Sequence, residues 1–509
     1  MEILGKVEVP LNLLLALTVI VLIYMYATWN YDYFKERSIP GPKPYPFIGS
    51  SFSFSLFSHF PAWKQMYGNV FGIFIGKVPA LVISDLDILN EVFVKSFNVF
   101  RNRMKSIIIP YPFNMAVVYL EDSHWKRVRN LITPTFSGAK LRLMCTSINN
   151  CAKTLCKNLS NAVENNEVVV TKQFFERFTM DVISQTAFGI TVDSQHEVDN
   201  PFVAHAKQMF ELSNMRRLTS MLAGFFPTLA RFLRKQGYGI FPQHVVDFFQ
   251  RNLTEIVKQR QNDTTEDREK RIDFLQLLVD AEIQMDSNSN VRRADGQITE
   301  KHTVRRLSTN EIVAQGMLFF IAGYETTAAT LAFVSYSFAM NPDAQEKAYK
   351  EIREVLGDDE PDYDNIGKLK YLDNVIIETL RLYPPVTVLH RRASETIQIK
   401  GLTIPKGLTV FIPTFALQRD PHLFKDPDSF KPERHDGKSN PLTFLAFGYG
   451  PRKCIGIRLA QVQSKIALVH LLRTVKFERS QDTPEVLTFK RNNVLQTDKS
   501  IALKISPRC

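Results

Sequence analysis

Cysteine is scarce in this chain, with five in 509 residues and no pair at CxxC spacing. That excludes a disulfide framework and the common zinc-binding arrangements, and it suits a reducing compartment. Cys145, Cys151 and Cys156 fall in one helix-like stretch and read as small buried hydrophobes, which leaves Cys454 as the exception. Internal repeats and low-complexity tracts are also absent, so neither a solenoid nor a disordered scaffold is expected. The formal charge of +11 comes without a finger, a basic arm or an aromatic-interleaved basic motif, which argues against nucleic acid as a partner. A basic face for an anionic membrane or an acidic protein is the better reading.

Charge itself is missing from Val9 to Tyr31, and the core of that run is LNLLLALTVIVLIYMY. It is long enough to span roughly 30 Å of hydrocarbon and reads as a membrane helix. A cleaved secretory signal would have a shorter apolar run and a small-residue cleavage pattern, while Glu2 and Glu8 count against a mitochondrial transit peptide. Lys35, Arg37 and Lys43 follow the run and only Lys6 precedes it, which places the bulk of the chain on the cytosolic side of a single span. Next comes IPGPKPYPFIG, Ile39 to Gly49, whose four prolines favour an extended, stiff hinge. The expected organisation is residues 1–31 as anchor, 32–50 as proline-rich hinge and 51–509 as one catalytic domain, with solvated loops near 261–306 inside it.

A hydrophobic content of 45% with 23% charged residues is that of a folded globular body. Helical periodicity covers most of it. Strand-like stretches are short: near 71–84, near 396–413, and in the tail ending SIALKI. The fold class is therefore mainly α with a smaller β region.

Four segments carry chemistry. In FGYGPRKCIGIRLA, Phe447 to Ala460, three glycines and a proline surround Cys454 and permit a tight turn with close backbone approach to something bulky. Ile457 onward reads as a helix, so Cys454 precedes an N-terminus whose N–H groups favour an anionic sulfur. The second segment, LSTNEIVAQGMLFFIAGYETTAATLAF, opens with Ser308 and Glu311 at capping-box spacing and reads as a long buried helix. Plain core is its ordinary reading, but Glu325, Thr326 and Thr327 interrupt an apolar run and must find partners. In the third, YLDNVIIETLRLYPP, Glu378 and Arg381 lie at i,i+3 before a helix-ending proline pair, and a surface ion pair is the simplest account. In the fourth, HWKRVRN, Trp125 and Arg129 lie at i,i+4 on one face, where a cation–π pair would be unremarkable.

Together and in this order, these segments resemble the microsomal cytochrome P-450 superfamily, in particular the branch of drug- and steroid-oxidising monooxygenases that also contains thromboxane synthase. The resemblance implies the P-450 fold behind one N-terminal transmembrane helix in the endoplasmic reticulum, and haem b (iron-protoporphyrin IX) as cofactor. It makes Cys454 the thiolate iron ligand, supported by Phe447, and it makes Trp125, Arg129, Arg391 and Arg452 the partners of the haem propionates. Ala322 and Gly323 leave room beside the iron, Thr326 hydrogen-bonds the bound dioxygen, and Glu325 helps deliver protons. Glu378 and Arg381 form the family's ExxR pair, completed by Arg434 of PERH, where His435 replaces the common Phe and puts local packing in question.

The activity implied is NADPH- and O2-dependent oxygen insertion into lipophilic small molecules. Electrons come from NADPH-cytochrome reductase, with cytochrome b5 as a further donor, docking near Lys126, Arg127 and Lys453. The alternative is a haem-thiolate isomerase or lyase acting on peroxides, which would have no need of Thr326; a haem carrier or gas sensor leaves the proton-delivery residues idle. Candidate pocket residues are 107–119, 210–226, Phe319, Ile321, Val386, Leu389 and Val494.

Overall fold

The computed structural model describes residues 10–50, 58–164, 169–197, 199–211, 213–269, 271, 273–283, 307–437, 439–490 and 494–508. Its centre is a helix of 32 residues, Thr309–Met340. Ser308 starts it with a full capping box, accepting from the Glu311 N–H while the Glu311 carboxylate accepts from the Ser308 N–H. Asn341 and Pro342 end it. Phe320, Leu331 and Phe338 are fully buried along it, and burial of each such side chain is worth about 1.5–3 kcal/mol. The helix is apolar enough to cross a membrane, yet it is packed inside the protein, against helices Thr171–Phe188 and Gln243–Asn262 among others.

Helix Ile457–Thr474 packs on Gly138–Glu164, and Lys370–Leu382 packs on the central helix. Cys145, Cys151 and Cys156 are buried in Gly138–Glu164 with their thiols pushed up by burial, to about 11, 12 and 12, as inert core residues should be.

The β region is small. Strands β1 (Val70–Ile75), β2 (Val78–Ile83), β4 (Leu389–Arg392) and β7 (Thr409–Ile412) form one sheet in the order β1-β2-β7-β4, antiparallel except for β2 with β7. A hairpin of β5 (Ile397–Ile399) and β6 (Leu402–Ile404) lies apart, and β3 (Val169–Val170), β9 (Ala502–Pro507) and β8 (Val475–Arg479) form a third sheet. The two expected strand regions and the tail strand are all present, β4 lies where the resemblance puts a strand bearing Arg391, and β3 and β8 come in addition. Of the expected loops, 261–271 contains one short helix, Thr265–Glu269, and 288–306 lies outside the described residues.

Helix Leu11–Thr28 stands clear of the body, exposed along nearly its whole length, and passes the same test of length and apolarity for a membrane span. Only its end is engaged: the Tyr26 hydroxyl donates to the Phe225 carbonyl at 2.9 Å, its ring stacks on Phe226, and the Lys77 ammonium sits 3.4 Å from the ring centroid. Phe225 ends helix Asn214–Phe225, and the next helix, Pro227–Lys235, exposes Leu229 and Phe232. The proline-rich segment is extended, but it is fastened rather than free. The Gly72 N–H donates to the Pro40 carbonyl and the Ser50 N–H to the Phe74 carbonyl, both at 2.8 Å. A Cβ on Gly41 would lie 2.1 Å from the Gly72 oxygen, so only glycine allows this approach.

Candidate active site

The cysteine loop is shaped by its own backbone. Gly448 and Gly450 adopt positive φ (70° and 73°), and a Cβ on Gly450 would meet the Phe93 carbonyl oxygen at 2.1 Å. The Cys454 N–H donates to the Phe447 carbonyl at 2.8 Å, and helix Ile457–Thr474 begins three residues later. Cys454 has many protein atoms around it, but its own surface is exposed, and it lines a cavity. Burial raises its thiol, and the Gly456 N–H, Arg129 and Arg103 only partly offset this. A thiol so placed ionises when a metal coordinates it.

That cavity, about 630 Å³, separates the cysteine loop from the central helix. Ala322, Gly323 and Thr326 line one wall and Cys454 the other. Gly323 has a packing reason as well, since a Cβ there would lie 2.9 Å from Ile183 Cδ1. The Thr326 hydroxyl donates to the Ala322 carbonyl at 2.6 Å, which parks it on the cavity wall. Glu325 does not line the cavity. Its carboxylate is buried behind the helix, accepting from Lys172 Nζ at 2.7 Å and Gln496 Nε2 at 2.9 Å. Glu325 is thus next to Thr326 in sequence but faces Lys172 and Gln496 instead of the cavity.

Four arginines, Arg103, Arg129, Arg391 and Arg452, converge on the same cavity from four different segments. Among the described residues none makes an ion pair. Their partners are main-chain carbonyls: Val118 for Arg103, Lys453 for Arg129, His390 for Arg391 and Leu120 for Arg452. The buried Nε atoms of Arg391 and Arg452 have no hydrogen-bond partner among the described residues. All four guanidinium groups are pushed below their ordinary value by burial first. Arg103 and Arg452 lower Arg391 further, and Arg103 also lowers Arg452, which falls to about 9. The same burial and the same cations hold His390 neutral, down to about 3, with its Nδ1 accepting from the Met104 N–H.

A buried charge without a counter-charge is costly, so this wall calls for an anion. A flat group with two carboxylates and a thiolate-seeking metal would meet both demands, and haem is such a group: the arginines would hold its propionates and Cys454 its iron. Trp125 is buried with a guanidinium 4.4 Å from its ring centroid, but the cation is Arg452 and not Arg129, its neighbour on the helix. Arg103 and His390 escaped the sequence reading because isolated cations in loops and short strands carry no periodic signal.

Other expectations fare unevenly. Val117, Val118, Phe319, Val386 and Leu389 line the cavity; Ile321, Val494 and the described residues of 210–226 are not among its lining. Arg127 is not free for docking, since with His124 it binds the Glu311 carboxylate and ties helix Asp122–Ile132 to the start of the central helix. Glu378 and Arg381 are fully buried rather than at the surface. Glu378 binds Arg381 through both oxygens (2.8 and 2.9 Å), Arg434 at 2.8 Å and the Lys431 N–H at 2.9 Å. His435 completes the set at 2.9 Å, so the histidine extends the network instead of disturbing it.

A family model described as Cytochrome P450 matches residues 39–505. Among similar proteins, Cytochrome P450 3A40 of Oryzias latipes is 35% identical over 93% of both chains. Cytochrome P450 3A9 of Rattus norvegicus is 36% identical and Cytochrome P450 3A5 of Homo sapiens 35%, each over 93% of this chain and 92% of its own. With the cysteine loop, the cavity and the arginine wall in place, these matches settle the matter: the chain belongs to the cytochrome P450 family of haem-thiolate monooxygenases, and it resembles the microsomal drug- and steroid-oxidising branch of that family.

Proposed function

We propose that this protein is an NADPH-dependent monooxygenase that inserts one atom of O2 into lipophilic small molecules. The observation that carries the reading is Thr326, a hydroxyl held on the wall of the cavity that Cys454 also lines. Bound haem b supplies the iron that activates dioxygen and transfers the oxygen atom. The chain's own residues do the rest. Cys454, oriented by the Phe447 carbonyl and the Gly456 N–H, would hold the iron through its sulfur, and Arg103, Arg129, Arg391 and Arg452, with Trp125 among them, would pair with the propionates. Ala322 and Gly323 add no bulk at the reacting face. Thr326 holds a proton there and Glu325 replenishes it. Leu318, Phe319, Ile376 and Val386 make the remaining wall apolar, which favours lipophilic substrates.

In this reading residues 1–31 anchor the protein by a single pass in the endoplasmic reticulum membrane, the fastened segment 32–50 follows, and the catalytic domain 51–509 is cytosolic. Asn252 and Asn262 should then carry no glycan although both lie in acceptor sequences. NADPH-cytochrome reductase supplies electrons, with cytochrome b5 as a second donor, and the exposed Lys126 and Lys453 offer the basic contacts.

The test is Thr326→Ala in the reconstituted enzyme. The thiolate-type Soret band of the reduced CO complex should persist and NADPH should still be consumed, while product per NADPH drops several-fold and hydrogen peroxide rises. Cys454→Ala should abolish the band. Rapid conversion of a peroxide substrate without NADPH, with no NADPH-dependent product from any ligand, would replace this reading with a peroxide isomerase.

A further inference from the structure

Behind the central helix, on the side away from the cavity, lies a buried polar cluster that the site described above does not explain. Helix Thr171–Phe188 contributes Lys172 and Glu176, and the central helix contributes Tyr324 and Glu325. Lys172 Nζ lies 2.7 Å from Glu325 Oε1 and 3.3 Å from Glu176 Oε1. Glu176 is 9% exposed and Glu325 2%. One ammonium thus faces two buried carboxylates. Arg177 and Lys207 are the other cations that act on the cluster, and neither makes an ion pair with these carboxylates among the described residues.

Two buried carboxylates on one ammonium leave a negative charge uncompensated, and the inexpensive remedy is to keep one proton. The geometry says where it sits. Glu325 has two good donors, Lys172 and Gln496, and so is well solvated as an anion. Glu176 has the longer contact to Lys172 as its one ion pair among the described residues. Burial raises its carboxyl, Lys172 pulls it back, and the Glu325 charge raises it again, for a net rise. The Tyr324 hydroxyl is fully buried and interacts with Glu176, although among the described residues it makes no hydrogen bond of ordinary length.

We propose that Glu176 stores a proton behind the central helix and supplies it through Lys172 to Glu325, which makes this triad the proton source for Thr326. The step balances: the Glu176 O–H bond breaks and its proton joins Lys172 Nζ as one ammonium proton moves to Glu325. Lys172 ends as it began, Glu176 becomes a carboxylate and Glu325 an acid. Water recharges Glu176 at Lys172, whose side chain is 27% exposed. Glu176 acts only through Glu325 and is a positioning residue. The proposal rests on the monooxygenase reading of Thr326.

The experiment uses the full-length holoenzyme with its reductase. In the wild type, product per NADPH should decline as pH rises and Glu176 loses its proton. In Glu176→Gln the profile should be flat at a several-fold lower yield, with the reduced-CO spectrum unchanged. Infrared difference spectra should show a protonated-carboxyl C=O band in the wild type that Glu176→Gln lacks. If Glu176→Gln does not fold, Glu176→Asp should shift both the band and the profile. A variant that keeps the wild-type band or the wild-type pH profile overturns the proposal. Should Thr326→Ala uncouple turnover while Glu176→Gln does not, only the reservoir falls; should Thr326→Ala leave coupling intact, the monooxygenase reading of Thr326 falls and takes the reservoir with it.

Discussion

Arg381 and Arg391 lie a short stretch of chain apart and both are fully buried, yet their surroundings are opposites. Arg381 is matched: Glu378 takes two of its N–H groups, and the carbonyls of Gln418, Pro427 and Ser429 take others. Arg391 has one carbonyl, its own neighbour's, and two more arginines acting on it. Closed sets of this kind hold a fold together, while an open set is held by the fold for something else. Burial and charge look alike in both places, and what separates them is whether an anion is present.

Breaking the closed set should have the larger effect. Glu378→Gln leaves Arg381 and Arg434 without their counter-charge, and removing one partner of a buried pair costs about 3–5 kcal/mol. Expression as folded, haem-loaded protein should collapse, as read by the reduced-CO spectrum and the melting temperature. Acid does the same reversibly. The Glu378 carboxyl is held down to about 2 by Arg381 and His435 against its burial. A depressed carboxylate gives its stability above the ordinary value of 4.5 and loses it as pH falls toward 2. The melting temperature should drop through that window, and Glu378→Gln should lack this part of the slope.

In the open set the sign should differ between forms. Arg391→Leu removes a repelled charge, so the haem-free protein should be no less stable and should melt slightly higher. The holoprotein should release haem roughly 10–100-fold faster to an apo-globin acceptor, since a charge-assisted contact is worth about 1.5–3 kcal/mol. Apo-protein destabilised as much as by Glu378→Gln would erase the distinction between the two sets. The smallest effect belongs to His435→Phe, which deletes one hydrogen bond from a carboxylate that keeps its arginines. A loss of about 1 kcal/mol is expected, seen as a melting temperature a few degrees lower with haem content unchanged.

The same contrast explains what the sequence could disclose. Cys454, Phe447, Trp125 and Arg452 belong to local motifs whose spacing survives in one dimension, and the central helix shows its capping box and apolar length. Arg103 and His390 matter only because β4 and a loop bring them to the arginine wall, and nothing in LHRR reads as a strand. The Glu378–Arg381 spacing suggested an exposed pair because i,i+3 says nothing of what packs on top, here the PERH turn. Arg127 sits in a basic run that looks like surface until Glu311 is found across from it, nearly two hundred positions along the chain.

The seat of Tyr26 against Phe225, Phe226 and Lys77 has a practical consequence for handling the protein. A chain trimmed after Thr28 to make it water-soluble would lose more than a tether. It would uncover Phe225 and Phe226 beside the exposed Leu229 and Phe232, and an apolar patch of that kind makes molecules adhere to one another. Trimmed protein should therefore run as aggregates without detergent, and polar replacements at Leu229 and Phe232 should return it to single molecules.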